Sequence, residues 1–89
     1  MVYQVIWSPT ARRKLARELP EKVAAAVWEF AVGPLANNPQ RVGRPLRREL
    51  TGSWSARRGE YRVIYRIDDT TVEILIVTID HRRDVYRHT

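Results

Sequence analysis

Apolar and polar positions change their spacing several times along the chain, and the changes mark out its elements. Tyr3 to Trp7 reads as a strand. Ser8-Pro9 then supplies a helix N-cap and a residue suited to the first helical position. Ala11, Leu15 and Leu19 recur at four-residue spacing and form one apolar stripe, while Arg12, Arg13, Lys14 and Arg17 spread over the remaining surface. That basic surface can touch RNA or a partner, or simply be the wet side of an amphipathic helix. Pro20 marks a break, and Val23, Val27 and Phe30 with the Ala24-Ala25-Ala26 run predict a second helix lying antiparallel to the first. Gly33-Pro34 requires this helix to end or kink before Leu35, since proline lacks a donor and crowds the preceding turn. Pro39 to Pro45 reads as a loop carrying Arg41 and Arg44, after which Leu46 and Leu50 pin the chain to the core. Trp54 to Arg58, Tyr61 to Ile67 and Val72 to Ile79 read as three strands joined by turns at Gly59-Glu60 and Asp68-Asp69-Thr70. The order predicts an α+β fold in which a three-stranded antiparallel meander completes a four-stranded sheet. The two-helix hairpin covers one face, and a short helix or tail closes the chain. Residues 1–89 are expected to form a single domain, with no repeat or long linker.

Period-two alternation assigns faces within the meander. Ser53, Ser55 and Arg57 share one face of their strand, and Arg62, Ile64 and Arg66 share one face of the next. Tyr61, Val63, Tyr65 and Ile67 occupy the opposite face and suit the surface beneath the helices, so Arg62 is expected on the open side. An arginine there either serves a ligand or forms a salt bridge to Glu73 or another carboxylate on a neighbouring strand. Val72 to Ile79 is apolar on both faces, as in a central strand, and delivers His81 and Arg82 at its end. A helical tail would place Arg82 and Tyr86 on one face, where both can approach Arg62. The competing arrangement packs the Tyr86 ring on the sheet, pairs Arg82 with a carboxylate and leaves Arg83 and Arg87 solvated.

Composition narrows the choice of partner. Sixteen Lys and Arg against ten Asp and Glu give a net charge of +6, which favours an anionic partner such as nucleic acid or an acidic protein segment. Fourteen of the cations are arginines, suited to forked contacts with phosphate or carboxylate. The absence of cysteine excludes disulfides and thiol catalysis, and two histidines, His81 and His88, make no recognisable metal-ligand set, so no cofactor or metal is expected. No apolar run is long enough to cross a bilayer and no secretory signal is visible, which points to a soluble cytoplasmic protein with no membrane partner.

The chemistry concentrates in Arg57-Arg58-Gly59-Glu60-Tyr61-Arg62 and His81-Arg82-Arg83-Asp84-Val85-Tyr86, whose side chains can bind a phosphodiester and neutralise charge developing on it. The chain resembles the RelE/ParE superfamily of bacterial toxins from type II toxin–antitoxin pairs, and within it the RelE branch. The resemblance runs over nearly the whole chain, through Ser8-Pro9-Thr10-Ala11, Gly43-Arg44-Pro45-Leu46, Gly59-Glu60-Tyr61-Arg62-Val63-Ile64-Tyr65 and the His81 to Tyr86 segment. It implies a toxin that cleaves messenger RNA in the ribosomal decoding site, is held inactive by a cognate antitoxin, and meets operator DNA only through the toxin–antitoxin complex. It also implies Arg62, Arg82 and Tyr86 as catalytic residues; Arg57, Arg58, His81 and Arg83, by the charge and chemistry of their side chains in the same two segments, are expected to bind substrate. Two family lysines fall at Ser53 and Ser55, leaving Arg57 as the cation on that strand face. Tyr86 can act as base if arginines lower its pKa, or can stack on a base and orient attack, and His81 is the chemical substitute for the lysines as acid or base. A ParE-like, non-enzymatic inhibitor of DNA gyrase and a co-repressor with weakened cleavage are the alternatives on the same scaffold.

Overall fold

The computed structural model describes residues 2–81. Strand β1 is Gln4–Trp7. At its end Ser8 adopts extended backbone, and its hydroxyl oxygen accepts from the Ala11 N–H at 3.0 Å, capping helix α1. Helix α1 runs over Pro9–Arg13 and continues as a wider, π-type turn over Lys14–Glu18. The Leu19 N–H reaches back five residues to the Lys14 carbonyl at 2.9 Å, and extended backbone at Leu19 then leads into Pro20. Helix α2, Glu21–Phe30, likewise widens into a π-type turn over Ala31–Leu35.

That second wide turn absorbs Gly33-Pro34, where the sequence pattern predicts an end or a kink. The Ala36 N–H donates to the Ala31 carbonyl, so the helical path continues past the residue that has no donor. The segment read as a loop is also more regular than expected. It holds a short helix α3, Pro39–Val42, and a two-residue strand β2, Arg44–Pro45. Strands β3, Trp54–Arg58, β4, Tyr61–Asp68, and β5, Glu73–His81, follow close to their predicted bounds.

Among the described residues the sheet has five strands rather than four, ordered β1-β5-β4-β3-β2, because Arg44–Pro45 pairs antiparallel with β3. The β3-β4-β5 meander is antiparallel and β1 lies parallel to β5. Val5, Trp7, Ala56, Val63, Tyr65, Ile74, Ile76 and Ile79 from the sheet pack against Ala11, Leu15 and Leu19 of the first helix and Val27, Phe30 and Leu35 of the second. Both helices therefore cover one sheet face, and among the described residues nothing packs over the other. Trp7 also stacks on Trp28, with ring centroids 5.1 Å apart and planes 7° apart, so Trp28 serves packing although it is half-exposed. Among the described residues no helix is long and apolar enough to cross a membrane.

Two local features set which side chains meet. The first is a bulge in β5: Ile64 stands opposite Thr78 but Tyr65 stands opposite Ile76, leaving Val77 as an extra residue. The insertion shifts the strand's alternation, so Ile74, Ile76 and Ile79 all reach the core while Leu75, Thr78 and Asp80 face the open side.

The second is the fully buried Tyr65, whose hydroxyl donates to the Pro39 carbonyl at 2.6 Å and ties α3 to the middle of the sheet. Gly43 passes directly over this hydroxyl. A Cβ at Gly43 would overlap the Tyr65 oxygen and approach the Ser55 carbonyl oxygen to 2.8 Å. Burial pushes the Tyr65 pKa up from 10.0 to about 12.

Gly43→Ala is therefore expected to destabilise the protein by about 1–3 kcal/mol in urea unfolding. Tyr65→Phe, which orphans the Pro39 carbonyl, is expected to lose about 1–3 kcal/mol at neutral pH. The raised phenol pKa fixes the sign of the alkaline response. The neutral form is favoured in the folded state, so its contribution is complete below pH 10.0 and is lost as pH rises towards about 12. Tyr65→Phe should flatten that part of the stability–pH curve, and an unchanged alkaline slope would contradict the assignment.

Candidate functional site on the open sheet face

The faces of β3 and β4 follow from their register. Trp54, Ala56 and Arg58 stand opposite Tyr65, Val63 and Tyr61, towards the helices, whereas Ser55 and Arg57 stand opposite Ile64 and Arg62 on the open side. The short β2 adds Arg44 opposite Ser55 on that open side. Arg66 is also there, its Nε 3.4 Å from the Ser53 Oγ. Ser53 is buried beneath the neighbouring side chains, so of the two serines on this face Ser55 is the more accessible. The open face thus presents Arg44, Arg57, Arg62 and Arg66 on three adjacent strands.

Arg57 and Arg62 are exposed and directly opposed across the β3–β4 pair, where like charges destabilise the sheet. The expected alternative, a salt bridge from Arg62 to Glu73, does not form: Glu73 stands opposite Asp68 at the far end of the strand pair. Asp80 is the residue opposite Arg62, but its carboxylate lies 3.5 Å from the Lys14 ammonium. Among the described residues no ion pair within 4.0 Å includes Arg57 or Arg62.

Arg58 and His81 sit across the sheet from this pair. Both flank Tyr61, Arg58 from β3 and His81 from β5, and Tyr61 faces the helices. Burial pushes the Tyr61 pKa up, and the Arg58 charge draws it partly back. The His81 Nε2 lies 3.8 Å from the Glu60 carboxylate at the β3–β4 turn. The structure therefore brings Arg57 and Arg62 together and separates Arg58 and His81 from them by the thickness of the sheet. Arg82, Arg83 and Tyr86 lie outside the described residues.

Two groups beside the arginines escape sequence reading, Asp80 and Lys14. The bulge at Val77 hides the first, because an unbroken alternation through β5 would put residue 80 beneath the helices. The second lies far away in sequence and looks like any other cation on the polar side of an amphipathic helix.

A family model described as ParE toxin of type II toxin-antitoxin system, parDE, matches residues 5–86, and the chain belongs to this family of toxins. Its similarity within the superfamily is to RelE-type members. It is 55% identical over 87 residues to the toxin RelG of Mycobacterium tuberculosis, covering 98% of this chain and 99% of that protein. It is 54% identical over 85 residues to the toxin RelE of the same organism, covering 96% of this chain and 87% of that protein. The toxin–antitoxin complex RelBE2 of Mycobacterium tuberculosis contains a chain of the same fold, with a TM-score of 0.88 and 54% identity over 92% of this chain and 100% of that one.

The opposed arginines generate a direct electrostatic prediction. A double-mutant cycle with Arg57→Gln and Arg62→Gln, read by urea unfolding at low salt, should give a repulsive coupling of about 0.5 kcal/mol. The coupling should fade in ~1 M salt. An attractive coupling would mean that the two side chains share a carboxylate.

Proposed function

We propose that this toxin is a ribosome-dependent endoribonuclease that stops translation by cutting messenger RNA without a metal ion. The observation that carries the reading is the pair Arg57 and Arg62, set against each other on an open sheet face at a cost to stability. An arrangement that destabilises the free protein is rationalised by a polyanionic ligand that bridges the two guanidinium groups.

Cleavage requires the ribose 2′-hydroxyl to lose a proton and attack the adjacent phosphorus, while the departing 5′-oxygen gains one. Negative charge grows on the phosphoryl oxygens as the bond forms. Arg62, with Arg57 beside it, neutralises that charge, and neither acts as base because a guanidinium holds its proton above a pKa of about 12. Arg82 would add a second transition-state contact, and Tyr86 would take part in proton transfer or orient the attacking ribose, roles that rest on the family pattern. Arg83 would contact the substrate. Arg58 and His81, placed across the sheet, would reach RNA only where it passes the strand ends.

In this reading the chain works in the cytoplasm, with the ribosome presenting the message. A cognate antitoxin would bind and neutralise the toxin, a pairing supported by the similarity to the toxin–antitoxin complex RelBE2, and operator DNA would be reached only through that pair. An acidic amphipathic segment would suit the arginine face, burying apolar area and masking charge together.

The test is translation in a cell-free extract with mapping of RNA ends. Wild-type protein should cut the message, and Arg62→Ala, Arg82→Ala and Tyr86→Phe should each lower the rate by about a hundredfold or more. Intact message in every reaction, together with inhibited gyrase supercoiling at stoichiometric protein, would replace this reading with the ParE-like one.

A further inference from the structure

Strand β1 ends at Trp7, opposite Ile76, so among the described residues the second half of β5 has no strand on that side. Lys14, in the π-type turn that continues α1, reaches this part-buried edge. Its ammonium donates to the Ile79 carbonyl at 2.9 Å and lies 3.5 Å from the Asp80 Oδ1. Asp80 in turn stands directly opposite Arg62. One carboxylate thus lies between two cations, and the structure pairs it with the one on the helix.

We infer that Lys14 is a positioning residue that keeps Asp80 away from Arg62, leaving the Arg62 guanidinium available to a phosphodiester. The inference rests on the phosphate-binding role given to Arg62 above. Without Lys14, the cross-strand neighbour of the Asp80 carboxylate is Arg62, and an arginine–carboxylate pair is a strong charge-assisted contact that competes with phosphate for the same donors. The hydrogen bond to the Ile79 carbonyl is what makes Lys14 effective. It holds the ammonium at the strand edge through a main-chain contact that does not depend on Asp80. The carboxylate is drawn towards a fixed charge instead of pulling a flexible lysine onto the arginine face. Lys14 is only partly exposed, which keeps this pull from being fully screened by solvent.

The experiment compares message cleavage in a cell-free extract for Lys14→Met, Lys14→Arg, Asp80→Asn, the Lys14→Met/Asp80→Asn double variant and Arg62→Ala, with the urea midpoint of each recorded. Lys14→Met should lower the cleavage rate by about tenfold. Lys14→Arg should retain most of it, and Asp80→Asn should not lower it. The double variant should recover to the level of Asp80→Asn, although the contact with the Ile79 carbonyl is lost in both proteins that carry Lys14→Met. A double variant as slow as Lys14→Met, with Arg62→Ala also slow, would overturn the inference and assign Lys14 to support of the strand. An Arg62→Ala protein that cuts normally would overturn the reading of the phosphate site, and this inference with it.

Discussion

Among the described residues, the second half of β5 leaves one edge without a neighbouring strand, and the placement of the first helix follows from it. Beyond Trp7 the described residues place β4 on one side only, and the part-buried main-chain acceptors on the other side require partners. The first helix provides them: the Ser8 hydroxyl donates to the Val77 carbonyl at 2.6 Å, and the Lys14 ammonium donates to the Ile79 carbonyl. Ser8 also caps the helix that carries Lys14, so one hydroxyl begins α1 and docks it on the sheet. With α1 fixed there, its apolar stripe meets the core and α2 closes over the same face. Among the described residues the opposite face is left uncovered.

That division separates the packed core from the arginine-bearing face with a single sheet as the boundary. One side holds the aromatic and branched residues, including Tyr61 and Tyr65, whose buried phenols remain protonated well into the alkaline range. The other side holds arginines on β2, β3 and β4, two of them in mutual opposition. Hydrophobic burial beneath the helices offsets the opposition of like charges on the open side. Tyr65 connects the two regions: its bond to Pro39 anchors α3, and Gly43 then leads the chain into β2, where Arg44 joins the open face.

Much of this layout was legible in the residues themselves. In Tyr61-Arg62-Val63-Ile64-Tyr65-Arg66 the charged Arg62 and Arg66 mark the outward face and Tyr61, Val63 and Tyr65 the inward one, with Ile64 the single apolar exception outward, and the register agrees. Ser8-Pro9 announces the first helix by the geometry a cap demands. The weaker readings have specific causes. Gly33-Pro34 argues for interruption, but a wider turn accommodates a missing donor. Two residues are too few to show periodicity, so β2 cannot be recognised from sequence. In β5 the run Ile74-Leu75-Ile76-Val77 is apolar at every position, which removes the contrast that would reveal a change of phase.

The bulge at Val77 has a consequence for comparing this protein with its relatives. Downstream of it, odd-numbered Ile79 is a core residue and even-numbered Asp80 belongs to the arginine face, the reverse of an uninterrupted count through Thr78. A homologue lacking that additional amino acid would require a gap within the strand. Ungapped correspondence would equate its charged groups with this protein's interior ones, and a shared motif would be credited to the wrong side of the molecule.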